Sequence, residues 1–79
     1  YAEILVIYEP IGNNTQGDVY DEIVGNIENS GWKKKDVTSW VEGKYYKAET
    51  SYGSFDRRLR VSVAIGSQSN SVSLDMVAR

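Results

Sequence analysis

One stretch of the sequence, residues 18–32, has the pattern of an amphipathic helix. Val19, Ile23 and Ile27 recur at four-residue spacing and form one apolar stripe, and acidic residues occupy the opposite side. A stripe this narrow cannot form a core alone, so the helix must lie on a sheet supplied by the rest of the chain. The sequence therefore predicts one helix packed on a β-sheet.

Both ends of this helix carry recognisable signals. Thr15 is a good N-cap, and Asp18 stands three residues later, where its carboxylate can complete a capping box. At the other end, Gly31 fits the left-handed position that follows the last helical turn. These signals predict a helix that begins after Thr15 and ends before Gly31.

The strands are predicted from composition and alternation. Residues 3–9 form a nearly continuous apolar run, which is typical of a central strand buried on both sides. Residues 33–36 are polar and are predicted to be a solvated connection. Residues 37–50 are rich in strand formers, and either one long strand with a bulge at Gly43 or two short strands would fit them.

The last two strands are predicted to form a hairpin. Residues 59–65 and 72–76 alternate between apolar and polar side chains. With a loop of residues 66–69, Val63 faces Val72 in the core. On the other face the same register pairs Arg60 with Asp75, two opposite charges. A loop two residues longer would keep the same faces but lose this pair, so the shorter loop is preferred.

Together these elements predict an α+β fold in a single small domain, residues 1–79. The predicted order is β-α-β-β-β, with a mostly antiparallel four-stranded sheet and one helix packed on one face. The predicted core comprises Ile4, Val6, Val19, Ile23, Ile27, Leu59, Val61, Val63, Ile65, Val72, Leu74 and Met76, together with some of the aromatic residues.

Composition weighs against catalysis. The 79 residues include no Cys and no His, so the usual zinc ligands and the commonest general acid–base side chain are absent. Acids near the helix start lack the alternating spacing of a calcium loop. We therefore expect no enzyme activity, no metal site and no cofactor. No run of eighteen apolar residues occurs, so neither a transmembrane helix nor a signal peptide is predicted.

Basic and aromatic residues concentrate in residues 32–60. The net charge is −2, yet residues 1–30 carry six acidic groups and no basic one, whereas residues 31–60 carry eight of the nine basic groups. Tyr, Trp and Arg are enriched at binding hot spots. The predicted binding residues are Trp32, Trp40, Lys44, Tyr45, Tyr46, Lys47, Tyr52, Arg57, Arg58 and Arg60.

Three functions are compatible with this composition. The first is a non-catalytic protein-binding module or accessory domain that acts through the exposed sheet face and residues 32–60. The second is a binder of single-stranded nucleic acid or another polyanion through the same residues, since aromatic faces stack on bases while Lys and Arg neutralise phosphates. The third is a self-associating structural subunit, such as a homodimer paired through sheet edges.

Overall fold

The computed structural model describes residues 2–40, 43–52, 57–66 and 70–78, and this part of the chain forms one helix and a five-stranded antiparallel sheet. The elements are β1 (Ala2–Tyr8), α1 (Gln16–Asn29), β2 (Lys33–Trp40), β3 (Gly43–Ser51), β4 (Arg58–Gly66) and β5 (Val72–Ala78). Across the sheet the order is β1-β5-β4-β3-β2. The predicted α+β class with one helix is confirmed, but the predicted number of strands and their order are wrong.

The additional strand arises because residues 37–50 contribute to two strands, which is one of the two predicted alternatives, and the first of them also includes residues 33–36, which were predicted to be a connection. Lys33 and the polar residues after it belong to β2, which pairs with β3 and places Trp40 opposite Gly43. Residues 33–39 are all exposed because β2 lies at one edge of the sheet. An edge strand with exposed side chains needs no apolar alternation, so the pattern that identifies buried strands was missing.

The helix begins and ends as the sequence predicts. The Asp18 N–H donates to Thr15 Oγ1 at 3.2 Å and the Thr15 N–H donates to Asp18 Oδ2 at 2.9 Å, which completes the capping box. Gly31 has a φ of 84° after the last turn. The Gln16 side-chain amide also donates to the Ser71 carbonyl at 2.9 Å. This hydrogen bond connects the first residue of the helix to the residue that precedes β5.

The core lies between α1 and one face of the sheet, which we call the helix face. Its buried members are Tyr20 of the helix and five sheet residues, namely Tyr46, Ala48, Val61, Val63 and Val72. The helix packs mainly over β4 and β5. The opposite side of the sheet, which we call the open face, has no covering element in the described part of the chain.

One residue of the predicted core is corrected. Ile4 is 61 % exposed, because β1 is an edge strand that the helix does not cover rather than a central strand. Tyr20 and Tyr46 are buried in the core, which agrees with the prediction that some of the aromatic residues belong to it. The remaining predicted core residues are buried or half-buried.

The β4–β5 hairpin differs in register from the prediction. Ile65 lies opposite Val72 and Val63 opposite Leu74, a shift of two residues that leaves the same side chains on the helix face. Asp75 consequently lies opposite Ser62, and the predicted cross-strand pair between Arg60 and Asp75 does not form. Alternation fixes which face a residue occupies, but it cannot distinguish registers that differ by two.

The Tyr46 hydroxyl is the least satisfied group of the core. The residue is 1 % exposed, and its oxygen has no hydrogen-bond partner among the described residues. Burial, with a further contribution from the charge of Glu28, raises the pKa of this hydroxyl above 10.0. A buried polar group without a partner costs about 1–3 kcal/mol.

Removing this oxygen is predicted to stabilise the protein. Tyr46→Phe keeps the ring in the core, so the free energy of unfolding should rise by about 1 kcal/mol in urea titrations monitored by circular dichroism. Tyr45→Phe, on the open face, serves as the matched control and should change it by less than about 0.5 kcal/mol. A clear loss of stability in Tyr46→Phe would contradict the unpaired hydroxyl.

Candidate functional site

Six of the ten predicted binding residues lie on β3 and β4, where they are divided between the two faces of the sheet. Tyr46 belongs to the core, and Lys44, two residues earlier on β3, occupies the same helix face. The Lys44 ammonium lies 5.6 Å from the centroid of the Tyr20 ring. On the open face the strands bring together Tyr45, Lys47, Arg58 and Arg60.

The other predicted binding residues lie away from this group. Trp32 packs against the core from the end of the helix, Tyr52 is half-buried just after β3, and Arg57 is exposed. Trp40 ends β2, and its side chain lies outside the described part of the chain. The basic and aromatic segment is therefore not one continuous surface.

A carboxylate organises the cations of the open face. Glu49 lies opposite Arg60 in the β3–β4 ladder. The Arg60 Nε donates to its Oε1 at 3.3 Å, and Lys35 Nζ and Arg58 Nη1 lie 3.6 Å and 3.5 Å from its Oε2. The carboxylate is 13 % exposed, whereas the three cations keep 36–57 % of their side chains in solvent. Glu49 and Lys35 are not among the predicted binding residues. Residues 33–36 were predicted to be a connection, so the pairing of β2 with β3 that brings Lys35 to Glu49 was not expected from the sequence.

The charge balance of this cluster sets the acidity of Glu49. Burial alone favours the neutral carboxyl and would raise its pKa. The charges of Lys35 and Arg60, with the hydrogen bonds they donate, outweigh that effect and hold the pKa below its ordinary value of 4.5. Glu49 therefore neutralises part of the positive charge that the strands bring together.

Next to this cluster lies a groove of about 460 Å³ at the end of the sheet. It is lined by Gly31, Lys33, Lys35, Glu49, Thr50, Ser51 and Arg58. Three of these side chains are cationic and one is anionic. The lining of the groove therefore has more positive than negative charge.

Four of the six exposed large apolar side chains among the described residues lie at the other edge of the sheet, on β1. Ile4, Leu5 and Ile7 are exposed by 61 %, 62 % and 55 %, and Tyr8 by 38 %. Leu5 and Ile7 lie on the open face, and Ile4 lies on the helix face. β1 pairs only with β5 in the described part of the chain, so the amides and carbonyls of its outer edge have no strand partner there.

The two edges of the sheet differ in their protection against pairing. β2 carries Lys33, Lys34 and Lys35 and has a register irregularity between Lys34 and Asp36. Exposed lysines and bulges are the usual devices that prevent an edge strand from adding another strand. Within β1 the only charged residue is Glu3, and its pairing with β5 is regular. β1 is therefore an unprotected apolar edge.

A polar group on the open face next to β1 also lacks a partner. Asp75 of β5 lies between Leu5 of β1 and Ser62 of β4, and its buried Oδ1 accepts no hydrogen bond from the described residues.

Comparison with known proteins found no matching family model, no matching curated protein and no matching solved structure. The one helix in the described part of the chain is too short and too polar to cross a membrane. Among the described residues no group of three His, Cys, Asp or Glu side chains is placed to hold a metal ion.

The Glu49 cluster is predicted to make stability depend on acid pH. A carboxylate whose pKa is lowered by folding stabilises the protein above its unfolded pKa, and the stabilisation is lost as the pH falls through the folded value. Glu49→Gln should therefore be less stable than the wild type at pH 7, and the difference should shrink below about pH 4.

Urea unfolding at pH 7 and below about pH 4 measures the difference in stability between Glu49→Gln and the wild type. Glu22→Gln, which removes one exposed carboxylate of the helix outside this cluster, is the matched control. A Glu49→Gln protein with the pH dependence of the wild type would show that the three cations do not stabilise the fold through this carboxylate.

Proposed function

We propose that this chain is a non-catalytic protein-binding module whose main contact surface is the edge of β1. The observation that carries this proposal is the concentration of exposed apolar side chains on an unprotected edge strand, at Ile4, Leu5 and Ile7. Contiguous exposed apolar surface on a small domain marks an interaction site.

The chemistry of β1 suits the addition of a partner strand. The outer edge of the strand offers a row of backbone donors and acceptors, which give affinity without sequence selection. Side chains on both faces then provide selectivity, with Leu5 and Ile7 on the open face and Ile4 on the helix face. The partner segment would be extended, and it would carry apolar side chains on both faces.

The open face extends this surface towards the basic residues of the predicted site. A partner strand added at β1 would be separated by β1 from β5, which carries Asp75. The buried Oδ1 of Asp75 has no hydrogen-bond donor among the described residues. The Glu49 cluster lies further across the sheet, on β3 and β4, and would contact only a larger partner.

The non-catalytic part of the proposal rests on composition. A chain without His and Cys lacks the residues most often used for acid–base, nucleophilic and metal chemistry near neutral pH. The clustered groups of the open face are explained by ion pairing to Glu49.

Strand addition can be tested with a peptide that copies residues 2–9, flanked by lysines for solubility. When it is titrated into ¹⁵N-labelled protein, amide shifts should change saturably in β1 and β5 and stay constant in β2. Leu5→Lys should abolish the response, because a charge then occupies the centre of the edge. Val37→Lys, at a 52 % exposed position on β2, is the matched control and should respond as the wild type does.

Changes of amide shift confined to β2 would contradict the proposal. No change of any amide shift at about 1 mM peptide would also contradict it, because even weak specific binding is detectable near that concentration. Circular dichroism melts establish that Leu5→Lys is folded. Leu5 is 62 % exposed and lies opposite Asp75, so a lysine there has both solvent and a counter-charge.

The groove at the end of the sheet supports a second candidate function, the binding of a polyanion such as single-stranded nucleic acid. Lys33, Lys35 and Arg58 line this groove together with Gly31. Trp32 is the next residue after Gly31 in the sequence. Phosphate contacts by such side chains weaken steeply with salt. The pairing of Lys35 and Arg58 with Glu49 reduces the free positive charge, which makes this the weaker candidate.

Tryptophan fluorescence tests this second candidate. A mixed-sequence single-stranded oligonucleotide should quench the emission saturably at about 50 mM salt and much less at about 200 mM. Arg58→Gln should weaken the binding, whereas Lys44→Gln, on the helix face, should not. The absence of quenching at low salt would exclude the nucleic-acid function.

A further inference from the structure

We propose that the partner at β1 is a second copy of this chain, bound strand to strand in a symmetric dimer. The two β1 strands would run antiparallel and join two five-stranded sheets into one of ten strands. This inference rests on the proposed role of β1 as the contact edge and adds to it the identity of the occupant.

Symmetry fixes how the two copies can meet. Antiparallel strands that exchange places by a two-fold rotation require an axis perpendicular to the sheet. Such an axis keeps both α1 helices on the same side, so the helix face of one copy continues into the helix face of the other. Alternate side chains of a strand lie on opposite faces, and opposed residues must lie on the same face. Each residue of β1 must therefore oppose a residue of the partner's β1 whose number differs from its own by zero or an even number.

Among these registers, the one with Leu5 on the axis uses the whole strand. It pairs all seven residues of β1, places Leu5 opposite the partner's Leu5 and places Ile4 opposite the partner's Val6. Moving the axis to Val6 would leave five residues paired and would bring Glu3 opposite the partner's Glu9. Like charges directly opposite each other destabilise a strand pair.

The charge on β1 is compatible with the Leu5 register. Glu3 opposes the partner's Ile7, and the two Glu3 residues lie four positions apart along the strand, about 14 Å at the usual rise. This separation exceeds the screening length of about 10 Å at 0.1 M salt. An acidic residue near the strand end therefore does not prevent self-pairing.

The protection of β2 explains why assembly would stop at two copies. Pairing of β1 with β2 of another copy would be head-to-tail and would continue without closing. The exposed lysines and the bulge of β2 oppose that arrangement. Pairing of β1 with β1 closes after two copies, and both outer edges of the ten-stranded sheet are then the protected β2 strands.

Sedimentation measures the assembly directly. The full chain should sediment at twice the monomer mass at high concentration and dissociate on dilution, over a range of about 1 μM to about 1 mM. Leu5→Lys places two ammonium groups at the two-fold axis, so it should weaken the dimer about 10-fold or more. Val37→Lys, at the exposed centre of β2, should leave the dimer unchanged.

A single cysteine reports the register, because the natural chain contains none. Opposed residues of an antiparallel pair have Cα atoms about 4.5–5.5 Å apart, which a disulfide can span. Leu5→Cys should therefore form a covalent dimer under mild oxidation, and Val37→Cys at equal concentration should not. Equal cross-linking of the two variants, or assembly blocked by Val37→Lys, would overturn the symmetric dimer.

The two proposals can fail separately. A chain that stays monomeric to about 1 mM while its β1 amides still respond to the strand peptide would overturn the dimer and retain β1 as a site for other proteins. A monomeric chain whose β1 amides do not respond would overturn both.

Discussion

The packing of one helix on one face of the sheet is the interaction on which the rest of this structure depends. Tyr20 and its apolar neighbours on α1 meet Tyr46, Val61 and Val63, and these contacts form the core. Because a single helix is narrower than five strands, it covers mainly β4 and β5. The edge strands lie outside its reach, so their side chains stay in solvent whatever their polarity.

The two edge strands, which the helix leaves exposed, differ in composition. β2 is exposed and polar, and its lysines and bulge prevent further strand addition. β1 is exposed and apolar, and it pairs regularly along one side only. The proposed binding function follows from this asymmetry, because an apolar edge gains from a partner both the burial of its side chains and the pairing of its backbone groups.

Positive charge on the open face is partly neutralised within the chain. Glu49 collects Lys35, Arg58 and Arg60 around one carboxylate, and so a segment that is strongly basic in sequence becomes a partly neutralised cluster in space. This pairing limits how strongly the cluster can attract an anion. Two buried side-chain oxygens lack a hydrogen-bond partner among the described residues, that of Tyr46 in the core and Oδ1 of Asp75 on the open side of the sheet.

The sequence by itself determined the helix, both of its caps, the α+β class and the faces of β4 and β5, because capping and alternation act between neighbours along the chain. It did not determine that residues 3–9 lie at an edge, that residues 33–36 form a strand, or which of two registers the last hairpin adopts. Those features depend on strand order and on the area that the helix can cover. An apolar strand has the same sequence pattern in the centre of a sheet and at its edge. Only the tertiary structure decides whether its side chains belong to the core or to an exposed surface.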